Sequence, residues 1–322
     1  MIGRNEGQRL ALSLQSMQSS HCPLIYVDSG STDTSITIAT PLVDIVHSLD
    51  ASKPFSAARA RNEGFERLTQ AFPALQFIQF VDGDCVLADN WILAAQQAML
   101  QDTTRAVVVG HLQEAYPEKS IYNRLCALEW KSPAGDMANF GALGGISMVR
   151  KDVFSALNGF KENVIAGEDS EFGVRLSLAG YKVTKINHQM AIHDANMTTF
   201  SQWWTRAVRA GHAIGQRAHL NGNTAAKDCV QERKSTLFWG VFLPLLALIL
   251  LIPTHGLSAL LFLAYGVLAL KVFKFRTKQK ESAADAVVYA KFIVLGKFAN
   301  GIGLIKFYLN KLKNSYNIIE YK

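Results

Sequence analysis

Two carboxylates one residue apart, Asp82-Gly83-Asp84, are the part of this sequence best suited to chemistry. They follow an apolar run at residues 77–81 that predicts a buried strand opening into a loop. Mg²⁺ and Mn²⁺ prefer oxygen ligands and keep open positions for water and phosphate, so one or two protein carboxylates can hold such an ion against a diphosphate. A solvated turn after a strand is the alternative. The elements around the pair must decide between the two.

Short apolar runs alternate with helical patterns ahead of residue 190. The runs at residues 23–27, 42–47, 75–81 and 106–110 predict strands, and residues 55–71 and 90–100 predict helices. This βα alternation predicts a mainly parallel, doubly wound sheet, which binds ligands beyond the carboxyl ends of its strands. Asp28 and Asp82 both lie at such ends, which favours a cation and phosphate site over a turn.

A second acidic cluster, residues 167–171, precedes a predicted helix that runs through Leu178. It contains Glu168, Asp169 and Glu171. Acidic residues also stabilise the first turn of a helix through the macrodipole, and for Glu171 this structural role is as well supported as a functional one.

The charge of the 322-residue chain is unevenly divided. Residues 1–226 contain 19 Lys and Arg against 21 Asp and Glu, whereas residues 227–322 contain 14 against 5. A nucleic-acid-binding domain would carry a basic stripe through its folded part, so we expect no nucleic acid partner. The four cysteines lack metal-ligand spacing, which favours reduced thiols in a cytosolic compartment, and the N-terminus lacks the apolar core of a secretory signal.

Two uncharged apolar segments lie at residues 235–253 and 256–270. Each approaches the length that crosses about 30 Å of hydrocarbon. Lys and Arg flank the pair on both sides, so we predict a two-helix transmembrane hairpin over residues 235–273 with both flanks in the cytoplasm. A helical hairpin buried in a soluble core is the alternative.

Residues 274–322 form a basic tail in which apolar residues alternate with lysines, as in a helix lying in a membrane interface. Gly296, Gly301 and Gly303 weaken any single continuous helix. A broken interfacial segment, a third shallow membrane element and a tail packed on the rest of the protein all remain possible.

Five segments in a fixed order resemble family 2 glycosyltransferases, which have the GT-A fold and use nucleotide-activated sugars. They are residues 4–6 with 27–33, residues 58–62, residues 81–84, residues 144–150 running on to 158–160, and residues 167–169 before Arg175-Leu176. The resemblance spans roughly residues 1–215. It implies a GT-A catalytic domain with a doubly wound mixed sheet over residues 1–220, followed by a linker at 221–234, the hairpin and the tail.

The resemblance implies roles for the donor side of the site. Asp28 matches the acid that contacts the base or ribose, and Arg61 matches a basic residue near the nucleotide. Asp84 matches the main ligand of a Mg²⁺ or Mn²⁺ ion, with Asp82 nearer the ribose and metal-bound water. Such an ion offsets charge as the nucleoside diphosphate departs.

On the acceptor side, Asp169 matches the general base of inverting members, and Glu168 is its supporting neighbour. His193 lies where related enzymes supply a third metal ligand, although a lone histidine is more often structural. Arg206 and Arg209 share a predicted helical face with Gln202 and could reach the donor phosphates. Their spacing departs from the motif of processive members, which argues against processivity; a helix lying against the membrane is the alternative.

The N-terminus also departs from the family, because only Met1-Ile2 precede Gly3 where a full central strand is usual. A missing strand would leave ladder groups unpaired at a cost of several kcal/mol. We hypothesise that the true start lies upstream, which the genomic sequence ahead of Met1 would test.

Together these features predict a metal-dependent, inverting, non-processive glycosyltransferase at the cytoplasmic side of a bacterial inner membrane. Its partners would be a nucleotide-sugar donor, a lipid-linked or polysaccharide acceptor, and membrane lipids. A sugar nucleotidyltransferase and a catalytically silent scaffold that binds lipid carriers or partner enzymes are the alternatives. The sequence identifies neither the sugar and nucleotide nor the acceptor.

Overall fold

The computed structural model describes residues 1–137 and 143–313. The strands are β1 (Ile2–Gly3), β2 (Ile25–Asp28), β3 (Ile45–Ser48), β4 (Phe77–Phe80), β5 (Cys85–Leu87), β6 (Arg105–Glu114), β7 (Gly135–Asp136), β8 (Ser147–Arg150) and β9 (Lys182–His193). The helices are α1 (Gln8–Gln15), α2 (Ser35–Ala39), α3 (Ala57–Ala71), α4 (Trp91–Gln101), α5 (Ile121–Glu129), α6 (Lys151–Ala156), α7 (Glu168–Leu178), α8 (Phe200–Asn221), α9 (Val230–Leu237), α10 (Leu243–Ile249), α11 (Leu263–Lys278) and α12 (Ala283–Leu312).

The chain forms two compact units. The first contains Met1–Tyr116 and Trp130–Asn196, and the second contains Pro117–Glu129 and the chain from Met197 onward. Helix α8 falls within the predicted catalytic domain at residues 1–220 but lies in the second unit.

The first unit is built on a mixed sheet. Strands β1, β2 and β3 pair in parallel, and a second group follows the order β4-β8-β6-β9-β5, with β7 added to β9. Strand β8 runs antiparallel to β4 and β6, and β5 runs antiparallel to β9. The prediction of a mainly parallel sheet is therefore correct for β1 to β3 and for β6 with β9, which also pair in parallel, and wrong for β5, β7 and β8, which run antiparallel to their neighbours.

Strand β1 occupies the centre of this sheet although it has only two residues. The Ile2 amide donates to the Val81 carbonyl, and the Gly83 amide donates to the Ile2 carbonyl. The only bridge between the two groups of strands within the described residues pairs Ile2 with Asp82. Beside this point lies an apolar cavity of about 100 Å³, whose lining includes Ile2, Ile25 and Phe80. The bridge fixes the backbone at Asp82 directly against the loop that follows β1.

The second unit is helical. Residues 230–249 are helical without interruption, since a π-helical turn at Phe238–Phe242 joins α9 to α10. The apolar segment predicted at residues 235–253 is thus the end of a longer helical run. After a turn at residues 250–256, a 3₁₀ segment at Leu257–Phe262 leads into α11.

Helix α12 is continuous over 30 residues, so the glycines of the tail do not break it. They instead permit close helix packing: a Cβ at Gly303 would overlap the Val208 carbonyl of α8, and a Cβ at Gly211 would overlap the backbone of Asn300. Of the three arrangements left open for the tail, the broken segment is therefore not what the structure shows, because α12 is continuous and packs against α8.

Two segments of the described chain are long and apolar enough to cross a membrane, Leu257–Lys278 and Ala283–Leu312. Only 11% of the most apolar window of the first is buried, against 39% for the second. The first segment contains most of the predicted span at residues 256–270. Exposed apolar side chains concentrate at the turn of the predicted hairpin at residues 235–273. There Ile249 is 70%, Ile252 87% and Leu257 69% exposed.

Candidate active site

The backbone of β4 delivers Asp82 and Asp84 to one edge of the sheet. Gly83 between them lies close to β1, since a Cβ there would come within 3.3 Å of the Ile2 carbonyl oxygen and 3.0 Å of Glu6 Cγ. The two carboxylates have different surroundings. The Asp84 side chain is 4% exposed, whereas that of Asp82 is 35% exposed. The pair is thus held by surrounding residues and does not form a freely solvated turn.

Asp84 lies beside His193, with 3.1 Å between Asp84 Oδ2 and His193 Nε2. Cys85 and His193 are direct cross-strand partners of β5 and β9, and the Asp194 amide donates to the Asp84 carbonyl. One ligand atom from each of Asp84, Cys85 and His193 lies within 4.8 Å of the others. This register explains why residues over 100 positions apart meet.

These residues fit a divalent cation. His193 Nδ1 is buried and has no hydrogen-bond partner among the described residues, and the Trp130 ring packs on the imidazole at 4.8 Å. A carboxylate, an imidazole and a thiol are all metal-ligand types. Glu114 fixes the segment after His193 by accepting from the Ala195 amide. Burial raises the pKa of Glu114, although two backbone amides partly oppose that shift.

Asp82 is held by Arg61, at 2.6 Å between its Oδ1 and Arg61 Nη2. Arg61 Nη1 donates to Glu168 Oε1 at the same distance. The guanidinium is almost fully buried, at 3% exposure. Burial disfavours its charge, but Asp82, Glu168 and Asp169 together outweigh burial and raise the pKa of Arg61 above its ordinary value. Arg61 therefore joins the Asp82 loop to the acidic start of α7.

A glycine makes room for this cation. A Cβ at Gly145 would overlap Arg61 Nη2 and lie 2.9 Å from Asp82 Oδ2. Asn62 next to Arg61 also ties α3 to the same region, because it donates to the Phe160 carbonyl and accepts from the Phe160 amide. These contacts connect three of the five segments that carried the resemblance. The first two residues of the glycine-rich run at residues 141–149 lie outside the described residues.

The three acidic residues at the start of α7 differ in burial and in their partners. Glu171 is fully buried and pairs with Lys161 at 2.8 Å and with Arg175 at 2.9 Å, so its role is structural. Glu168 is buried against Arg61, whereas Asp169 is partly exposed. Gly167, with φ of 74°, adopts the left-handed conformation that turns the chain into the helix. Asp169 is thus the acid of this cluster best placed to meet a substrate.

Asp28 lies at the end of β2 but points inward. Its Oδ2 accepts from the Gly30 and Ser31 amides at 2.9 and 2.8 Å, and its Oδ1 accepts from the Tyr26 hydroxyl at 3.1 Å. Burial, and then the charge of Asp28, raise the pKa of Tyr26 above its ordinary value. With 1% exposure, Asp28 shapes the loop that follows β2. Its direct contact with a nucleotide stays a prediction.

Arg206 and Arg209 lie on α8 in the second unit. Arg206 Nη1 pairs with Glu129 of α5 at 2.8 Å. Gln202, which shared their predicted face, forms a capping box with Thr199 at the start of α8. A capping role for Gln202 differs from the predicted phosphate contact, and donor contacts by Arg206 and Arg209 stay predictions.

Two known protein families match the part of the chain that contains these site residues. Residues 1–157 match the family described as glycosyl transferase family 2, and residues 129–199 match the family described as the N-terminal domain of galactosyltransferase. Residues 1–157 thus belong to glycosyl transferase family 2. The resemblance drawn from the sequence segments is therefore confirmed.

Named glycosyltransferases are among the proteins that this chain resembles. The O-antigen chain rhamnosyltransferase RfbN of Salmonella typhimurium is 28% identical over 187 residues, covering 54% of this chain and 58% of that protein. Glycosyltransferase AglE of Haloferax volcanii is 25% identical over 209 residues, covering 62% of this chain and 65% of that protein. The matched regions thus span less than two thirds of these relatives.

Solved structures confirm the GT-A fold. The mannosyltransferase PcManGT from Pyrobaculum calidifontis, in complex with GDP-Man and Mn²⁺, gives a TM-score of 0.59 at 14% identity, covering 96% of this chain and 86% of that one. S. aureus TarS gives a TM-score of 0.50 at 13% identity, covering 74% of this chain and 42% of that one. At these identities the likeness concerns the fold alone.

Proposed function

We propose that this chain transfers a sugar from a nucleotide-sugar donor, and that Asp84 and His193 hold a divalent cation for this reaction. The ion pairs of Arg61 with Asp82 and Glu168 carry the proposal, because they join the candidate metal loop to the helix that presents Asp169. A catalytically silent scaffold would not need that connection. Membership of a glycosyltransferase family and the Mn²⁺ in the related mannosyltransferase structure also support it.

In this proposal Asp84 and His193 hold Mg²⁺ or Mn²⁺, and the ion supplies Lewis-acid stabilisation of the departing nucleoside diphosphate. Asp82, oriented by Arg61, would contact the ribose side of the donor. Asp28 holds the loop after β2, where the nucleotide binds. The buried Arg61 guanidinium provides the counter-charge for Asp82 and Glu168.

Asp169 acts as the general base. It accepts the proton of the acceptor hydroxyl as that oxygen attacks the anomeric carbon, while the bond from that carbon to the diphosphate oxygen breaks. Attack opposite the leaving group inverts the configuration. Glu168 orients Arg61 from the same helical turn, so it positions the site without itself taking the proton.

The acceptor is a membrane-proximal saccharide, lipid-linked or part of a growing surface polysaccharide. Three features support this proposal: the exposed apolar hairpin, the basic C-terminal part of the sequence, and the O-antigen chain rhamnosyltransferase among the relatives. Lys and Arg beside the apolar segments favour anionic lipids and a cytoplasmic location of the catalytic unit. The inner membrane of a bacterium fits these requirements.

A donor screen tests the proposed reaction. Purified full-length protein in detergent is titrated with UDP-, GDP- and dTDP-sugars, with Mn²⁺ and with chelator. We expect one nucleotide class to bind at least about tenfold more tightly with Mn²⁺, as expected for an ion bridging the protein to a diphosphate. Binding of all classes that is equally weak with and without Mn²⁺ would contradict the proposal.

Extraction of cell membranes with alkaline carbonate tests the membrane location separately. An integral hairpin keeps the protein in the pellet, whereas a peripheral tail releases it into the supernatant. Release of most of the protein would contradict the transmembrane part of the proposal but not the reaction.

A further inference from the structure

Cys85 lies directly after the carboxylate pair, at the edge of the hydrophobic core and opposite His193. The two residues are Cα partners in the antiparallel pairing of β5 and β9. Directly opposed residues project from the same face of a sheet, with Cβ atoms about 4.5–5.5 Å apart. The Cys85 thiol and the His193 imidazole therefore share one face at the candidate metal position.

The Cys85 thiol also contacts the third member of this group. Its Sγ lies 3.3 Å from Asp84 Oδ1, and the side chain is 1% exposed. A thiol, a carboxylate oxygen and an imidazole nitrogen thus converge within 4.8 Å. In the part of the chain that the structure describes, no other three such residues come together in this way.

This set of donors differs from the set expected for Mg²⁺ or Mn²⁺. Those hard ions take oxygen ligands, whereas a thiolate with an imidazole and a carboxylate suits Zn²⁺ and the softer Cd²⁺. On binding, the metal forms a bond to sulfur and the thiol proton leaves to solvent. The oxidation states of metal and sulfur do not change.

We propose that Cys85 sets the metal preference of this centre, so that thiophilic ions such as Zn²⁺ and Cd²⁺ bind at Asp84, Cys85 and His193 more tightly than Mn²⁺. A second consequence rests on the proposed function: a thiophilic ion occupies the position that Mn²⁺ needs and inhibits sugar transfer. Cys85 is then a specificity-determining residue of the metal site.

Cadmium binding to the metal-stripped, full-length protein in detergent tests the metal preference without any assay of activity. A Cd²⁺–thiolate bond produces a charge-transfer absorption in the ultraviolet. We expect the wild type to develop this band with one Cd²⁺ per chain, and excess Mn²⁺ to displace the ion poorly. A wild type without the band overturns the proposal, whatever the variants do.

Cys85→Ser and Cys22→Ser form a matched pair, because Cys22 is exposed and far along the chain from the metal-site residues. Cys85→Ser is expected to lose the band and to bind Cd²⁺ about 10–100-fold more weakly, with Mn²⁺ binding changed much less. Cys22→Ser should keep the band. A band that survives in Cys85→Ser, or in Cys85→Ala if the serine variant fails to fold, contradicts the proposal.

Inhibition is measured on the same proteins. If the protein turns over a donor, Zn²⁺ should inhibit the wild type at least about tenfold more strongly than Cys85→Ser, in line with loss of one ligand. Equal inhibition of both would overturn the second consequence. A protein that binds Cd²⁺ as expected but turns over no donor would contradict the proposed function and leave the metal preference standing.

Discussion

Arg61 and Glu168, which are 107 positions apart in the chain, form an ion pair of 2.6 Å. The same guanidinium holds Asp82 at 2.6 Å. Each partner comes from a different segment: α3, the loop after β4 and the start of α7. Arg61 is therefore both a stabilising residue of the first unit and the connection between the two acidic clusters of the proposed site.

Replacing Arg61 tests that connection. Arg61→Met leaves the buried Glu168 without the counter-ion that pairs with it, so we expect a loss of about 3–5 kcal/mol in the free energy of unfolding. Arg67→Met is the control, since Arg67 is exposed on the same helix, and it should change stability by less than about 0.5 kcal/mol. Chemical denaturation of both variants measures the difference. Equal effects would show that the buried pairs are not stabilising.

The glycines of α12 give a second matched pair. Gly303→Ala introduces a Cβ that overlaps the Val208 carbonyl, whereas nothing lies within 4 Å of a Cβ at Gly296. We expect Gly303→Ala to destabilise the protein by about 1–3 kcal/mol through separation of α8 and α12. Gly296→Ala should be neutral or stabilise it by up to about 1 kcal/mol through helix propensity. Thermal unfolding in detergent distinguishes them, and identical melting temperatures would contradict the close packing.

His212 on α8 predicts a dependence of stability on pH. Burial lowers the pKa of His212 from 6.5 to about 4, so the folded protein holds it neutral. Between those pH values the unfolded state binds more protons, and stability is lost as the pH falls from about 6.5 towards 4. We expect the wild type to lose about 2 kcal/mol more between pH 7 and pH 5 than His212→Gln, which cannot titrate. Parallel losses measured by denaturation at the two pH values would contradict this.

The sequence predicted the first half of the fold well because the signals there are local. The buried run of β2 and the capped, amphipathic α3 both form close to their predicted bounds. The antiparallel pairing of β8 was missed, since strand direction depends on contacts between distant segments. The continuity of α12 was missed because its glycines were assessed by intrinsic propensity, whereas packing against α8 uses them for close approach.

The candidate site was predicted only in part, because motifs are local whereas some of its contacts join distant segments of the chain. Asp82, Asp84, Asp169 and His193 could be named from motifs, and the structure brings Asp84 next to His193. Cys85 carried no signal as a ligand, because its relation to His193 arises only from the register of β5 and β9. Gly145 lies in a glycine-rich run that the sequence shows. Why a glycine is needed there, namely to leave room for the Arg61 guanidinium, is visible only in the folded chain.

The central claim, metal-dependent sugar transfer by this site, is tested most directly by the rate of nucleoside diphosphate release from the donor that the screen identifies. The assay compares the wild type with Asp84→Asn, Asp169→Asn and Asp89→Asn in acceptor-containing membranes, with Mn²⁺ or chelator. Asp89 is an exposed aspartate five residues after Asp84 and serves as the control.

We expect release by the wild type to require Mn²⁺, Asp89→Asn to match it, and Asp84→Asn to lose at least about 100-fold in rate. Asp169→Asn should lose about 10²–10⁴-fold in transfer while it keeps Mn²⁺-dependent donor binding, because a general base acts only in the chemical step. Wild-type release that continues in chelator, or full activity in Asp84→Asn and Asp169→Asn, would contradict the account.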